Sequence, residues 1–93
     1  MNYNKFQEDC AGEWVVSESA TKISLTPTGP DTGIVKTWVI NIPQGSENYH
    51  LRQDEAALYI KWLDTEHLVR PSERGFDLVI DDAVVHRFER NDQ

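Results

Sequence analysis

Phe76-Asp77-Leu78-Val79-Ile80-Asp81-Asp82-Ala83-Val84-Val85-His86-Arg87-Phe88 is the stretch whose reading decides the fold. Two apolar runs flank a pair of aspartates, and aspartate tolerates the positive φ that a tight two-residue hairpin turn needs. Pairing outward from Asp81-Asp82 sets Ile80 opposite Ala83, Leu78 opposite Val85 and Phe76 opposite Arg87 on one face, the core face. Asp77 then meets His86, and Val79 meets Val84, on the other. Because strand side chains alternate with a period of two, this parity propagates backward through every strand that pairs in turn.

The preceding segments read as further strands. Trp14 and Val16 alternate with Glu13, Val15 and Ser17, and Ile23 and Leu25 alternate with Lys22, Ser24 and Thr26. With a turn at Ser19-Ala20, Trp14 faces Leu25 and Val16 faces Ile23. Pro27 to Gly33 reads as a loop. From Ile34 the chain carries Trp38, Ile40 and Ile42 on the inward parity, with Lys36 as its exception and Val35, Thr37 and Val39 outside, until Pro43-Gln44-Gly45-Ser46 breaks it. Tyr49 and Leu51 pair with Ile60 and Leu58 across Asp54-Glu55, and Ile60 and Trp62 pair with Val69 and His67 across Asp64-Thr65. Ahead of all this, Tyr3, Phe6 and Cys10 recur at helical spacing before Gly12, the pattern of a short amphipathic helix closed by glycine.

The chain therefore reads as all-β: an eight-stranded antiparallel up-and-down meander with a short N-terminal helix and no internal repeat. Such a sheet hides its apolar face by closing into a barrel or folding into a sandwich, and a small barrel is favoured here. At 93 residues the chain makes a single domain, 1–93. About twenty inward side chains are needed to approach its ordering cost, so a wide hollow interior is not expected.

Gly12-Glu13-Trp14 resembles the start of the calycin superfamily, the lipocalins and their smaller relatives. In that family a helical turn precedes Gly-any-Trp on the first strand, and an arginine on the last strand packs across the tryptophan to plug the closed end. The resemblance implies that Trp14 and Arg87 form this plug. Parity independently puts Arg87 on the core face near the exit of the last strand, and a cation over an indole contributes ~0.5–2 kcal/mol. The chain is shorter than a typical lipocalin and lacks its disulfides, which argues against the family's large ligand cavity.

Composition narrows function. A formal net charge of −7 disfavours nucleic acid as a partner, because phosphate contacts need clustered Lys and Arg. Cys10 is the only cysteine, so there is no internal disulfide. No run approaches the ~20 apolar residues of a membrane-spanning helix, and no signal-like apolar core follows Met1. A cytoplasmic protein is the expectation, unless a leader was removed.

Alternating strand directions gather Glu18, Glu47, Asp64, Glu66, Asp81 and Asp82 at the end opposite the termini, with Lys22 the nearest base. That end would be the open mouth, its throat lined by Trp62, His67, Ile42, Tyr49 and Ile80. The expected function is a non-enzymatic binding module, a protein-interaction or inhibitor protein whose acidic rim meets a basic protein partner by electrostatic attraction. The alternative is a carrier of a small apolar or cationic ligand held between Trp62, Tyr49 and His67. His67 with Asp64 and Glu66 is the one acid–base candidate group, and no catalytic residues are assigned. No cofactor or metal is expected, because the carboxylates come from separate turns without ligand spacing. Val79, Val84 and Phe88 form an outward apolar patch, as do Val35 and Val39. The former suggests a homodimer through the last hairpin, or cover by the Tyr3/Phe6 face.

Overall fold

The Asn2 side chain accepts a hydrogen bond from the Lys5 amide at 2.8 Å, satisfying one of the orphan donors of a helix start. Helix α1 (Tyr3–Cys10) follows, with Phe6 and Cys10 one turn apart on its buried face. It ends at Ala11, and Gly12, at φ 112°, turns the chain into the first strand. That backbone angle favours glycine. The structure, a computed structural model, describes residues 2–16, 19 and 21–90.

Eight antiparallel strands follow: β1 (Gly12–Val16), β2 (Thr21–Pro27), β3 (Thr32–Val39), β4 (Ile42–Asp54), β5 (Ala57–Trp62), β6 (Thr65–Pro71), β7 (Gly75–Ile80) and β8 (Ala83–Arg90). Each pairs with the next, and β1 pairs with β8 through Trp14↔Arg90 and Val16↔Phe88, closing the barrel. Closure removes the two outer edges that an open meander would expose. The helix caps the end where β1 begins and β8 finishes. There Phe6, Trp14, Tyr49, Phe76 and Phe88 fill the interior, with ring pairs 4.8 Å (Trp14–Phe76), 5.0 Å (Phe76–Phe88) and 5.4 Å (Phe6–Phe76) apart. Each of these large apolar side chains contributes ~1.5–3 kcal/mol by burial. The Tyr49 ring lies over its ladder partner Gly33, where any Cβ would collide with it, and its hydroxyl donates to Gln7 Oε1 at 2.6 Å. Gln7 in turn donates to the carbonyls of Gly29 and Thr32, tying the helix to the β2–β3 loop.

The Asp81-Asp82 turn forms as read, with φ of 52° and 65° and pairs Ile80↔Ala83 and Val79↔Val84. Beyond these, the expected pairing fails. A bulge leaves Val85 unpaired, so Leu78 meets His86, Asp77 meets Arg87 and Phe76 meets Phe88. One extra residue exchanges the faces of everything after it. His86 and Phe88 turn inward, Arg87 turns outward, and Arg90 arrives over Trp14 with its guanidinium carbon 4.0 Å from the ring centroid. The arginine stacked on Trp14 is Arg90, not Arg87. Arg87 instead donates to Asp77 Oδ1 at 3.1 Å on the outer face, and Arg70 lies 3.7 Å from the same carboxylate.

The third strand also reverses. Val35 is buried and Trp38 lies on the outer side of β3, because inward Leu25 and Ile23 stand opposite Val35 and Thr37. The chain turns at Ile40-Asn41, both at positive φ, rather than at Pro43–Ser46. Ile40 and Ile42 are 72% and 62% exposed, so Ile42 lines no throat. Pro43-Gln44-Gly45 is absorbed as a bulge opposite Thr37/Trp38. Proline needs no ladder donor at such a place. Pro27 and Gly33 belong to β2 and β3 and pair with each other, leaving a shorter loop.

Three other registers slip by two residues, which preserves every facing. Trp14 pairs with Ile23, Ile60 pairs with His67, and the Tyr49/Leu51 strand is offset so that Leu51 meets Ile60. The turns fall at Glu55-Ala56 and Leu63-Asp64. Of the expected Ser19-Ala20 turn, Ala20 lies outside the described residues.

Candidate functional site

The residues at the end of the barrel away from the helix come from the turns after β3, β5 and β7 and from the upper part of β4. Leu63 and Asp64 make the β5–β6 turn at φ 57° and 59°, a primed geometry that throws both side chains outward. On β4, Glu47 stands opposite Val35 on the inward parity, yet it is exposed, as the β4–β5 ladder begins only at His50. Between them lies a recess of about 310 Å³ lined by Glu47, Asn48, His50, Lys61, Trp62, Leu63 and Asp64. Trp62 is 8% exposed, and its Nε1 is the one buried side-chain donor without a partner among the described residues. An indole N–H left unpaired in a buried position costs ~1–3 kcal/mol.

The acids expected to form one rim divide into two groups. Glu47 and Asp64 flank the recess at Trp62. Glu66, Asp81 and Asp82 line a second recess of about 400 Å³ on the outer face, with Tyr59, Leu68, Val79 and Ile80. Glu66 is committed there: Arg52 Nε and Nη2 donate to its two oxygens at 3.0 and 2.9 Å, and Arg52 stacks 4.3 Å from the Tyr59 centroid. The bidentate bond holds the Glu66 carboxyl below its usual pKa and raises that of Arg52. Glu18 lies outside the described residues. The base nearest the first recess is Lys61, not Lys22, whose partners Val15 and Trp38 place it on the outer face.

His67 is buried as expected and sits beside Trp62, with ring centroids 6.5 Å apart and Nδ1 3.4 Å from the Ile60 carbonyl. Its predicted carboxylate partner Glu66 is the neighbouring residue on β6 and so points to the opposite side of the sheet, toward Arg52. His86 joins His67 and Trp62 inside, at 5.7 and 5.4 Å. Sequence reasoning set His86 outside against Asp77, and only the bulge at Val85 brings it in. Tyr49, assigned to the throat, is wholly buried and engaged by Gln7.

The outward patch assigned to the last hairpin loses Phe88, which is in the core. Val84 is exposed, while Val79 is buried between its ladder neighbours Leu68 and Val84. Val35 likewise leaves the second patch, and the Phe6 face of α1 fills the barrel end rather than covering either. Burial pushes the Cys10 thiol up to about 11 and the Tyr49 hydroxyl up to about 12. Among the described residues no three His, Cys, Asp or Glu side chains converge to hold a metal, and no helix is long and apolar enough to cross a membrane.

Fold and site define a small closed up-and-down β-barrel, plugged by a helix at one end and carrying an acidic recess at the other. Comparison of the chain with protein-family models, curated proteins and solved structures returns no match.

Proposed function

We propose that this barrel is a calycin-like binding module without catalytic activity, which presents its acidic end to a basic protein partner. The observation that carries the reading is the recess at Trp62, where two carboxylates, Glu47 and Asp64, stand against one base, Lys61. A Lys or Arg side chain entering there meets opposite charge. The Trp14–Arg90 stack at the closed end supports the calycin likeness, with the arginine three positions later than parity implied. The small-ligand alternative loses Tyr49 to the core and would rest on Trp62, His67 and His86 alone.

A pull-down from native cell extract at low and high salt tests this. The expected outcome is a protein partner retained at ~0.05 M and released at ~0.5 M salt, as screening shortens the reach of exposed charge. A Glu47→Lys/Asp64→Lys variant should lose that partner, whereas Asp81→Lys/Asp82→Lys should weaken it less. Retention of the same proteins by both variants would remove the proposal.

A further inference from the structure

We infer that the partner engages as an extended segment that adds a strand to the free edge of upper β4, with a basic side chain seated in the recess at Trp62. The inference rests on the acidic-end reading and gives it a binding mode. β4 runs from Ile42 to Asp54, but its ladder with β5 begins only at His50↔Lys61. Among the described residues, Ile42–Asn48 therefore has a strand neighbour on the β3 side alone, although the barrel is otherwise closed. This is an unpaired edge of the kind that templates strand addition.

The direction of the unpaired groups follows from one bond. The Leu51 amide donates to Asp31 O at 2.7 Å, toward β3. Alternate residues of a strand point their N–H and C=O groups to opposite sides, so Tyr49 and Glu47 also face β3 while Asn48 and Ser46 face the open edge. Glu47, between them, directs its carboxylate to the recess side. The far part of the edge is blunted: Pro43 lacks an N–H, and the bulge at Gln44 disturbs the spacing of Gly45. Ser46–Asn48 is the usable length, and it adjoins the recess through Asn48 and Glu47.

Charge chooses the occupant. With a net charge of −7, a second copy of this chain is repelled, and Glu47 in a self-paired edge would bring carboxylates together. A segment alternating basic and small or β-branched residues suits both the edge and the acids. Its main chain completes the ladder at Ser46 and Asn48, and its basic side chain meets Glu47 and Asp64.

The probe is a blocked nine-residue peptide alternating Lys with Thr and Val, titrated into the full chain, with amide exchange followed residue by residue. A second peptide of identical charge carries N-methyl groups on alternate residues and cannot complete the ladder. The expected result is slowed exchange at Ser46 and Asn48 on binding, and affinity for the methylated peptide about tenfold lower, as two main-chain bonds are lost. Equal affinity for both peptides with unchanged Ser46 and Asn48 exchange, while Glu47→Lys/Asp64→Lys still abolishes binding, overturns strand addition and leaves the acidic-end reading standing. No binding, or binding indifferent to that charge reversal, overturns both.

Discussion

Replacing Arg90 by Met tests how the closed end is held. Methionine keeps the unbranched stem over Trp14 and removes the charge and donors. Arg90 stacks 4.0 Å from the Trp14 centroid, Nη1 donates to Ala11 O at 3.1 Å and Nη2 donates to Asp9 O. The two carbonyls belong to the C-terminal end of α1, where a cation is also favoured by the helix dipole. At a solvated site the stacking contributes ~0.5–1 kcal/mol, and the two bonds, both exposed to solvent, ~0.75–1.5 kcal/mol each. The expected loss is ~2–4 kcal/mol, a large share of the ~5–15 kcal/mol typical of a domain. For a chain of this size it lowers Tm by ~8–20 °C or more.

Urea unfolding at constant pH reads the loss as a drop in midpoint with an unchanged slope. A double-mutant cycle with Trp14→Leu isolates the stacking: Arg90 and Trp14 should couple by ~0.5–1 kcal/mol, whereas Arg87 and Trp14 should be additive within ~0.5 kcal/mol. A loss below ~0.5 kcal/mol for Arg90→Met, or coupling of Trp14 to Arg87 instead, would refute the reasoning about the bulge.

Trp14→Phe and Trp62→Phe should differ: Trp14 Nε1 donates to Cys10 O at 2.8 Å while Trp62 Nε1 has no partner, so equilibrium unfolding should show a cost of ~2–4 kcal/mol for the first and under ~1 kcal/mol for the second. Gly33→Ala should displace Tyr49 from Gln7 and cost at least ~2 kcal/mol, visible as loss of near-ultraviolet tyrosine dichroism together with a lower urea midpoint. Cys10 has a folded pKa raised from 9.0 to about 11 by burial, so the unfolded chain ionises first; stability from this group is intact below pH 9 and is lost as pH rises toward 11. Iodoacetamide labelling of native protein should accordingly remain slow at pH 9 and follow global unfolding.

The alternation of Trp14/Val16, Ile23/Leu25, Leu58/Ile60/Trp62 and Phe76/Leu78 determined the fold, because a strand with one buried face has only one tolerable parity. Slips of two residues at the turns left that parity intact, so Trp62 and His67 were placed inside by sequence alone. The helix was legible too, from Phe6 and Cys10 at one-turn spacing ahead of a glycine.

Tertiary structure decided whatever depended on a single inserted residue. Val85 is as apolar as its neighbours, and nothing in its local sequence marks it as the one left unpaired, yet it sends Arg87 out and brings His86 and Arg90 in. In the same way Trp38, Ile40 and Ile42 carry the stronger hydrophobic signal, but the ladder from buried Leu25 and Ile23 reaches Val35 and Thr37, and neighbouring strands must agree on which side is inside. The site depended on one further fact beyond pattern: β4 outruns β5, and that mismatch in length opens the recess where Glu47, Trp62 and Asp64 meet.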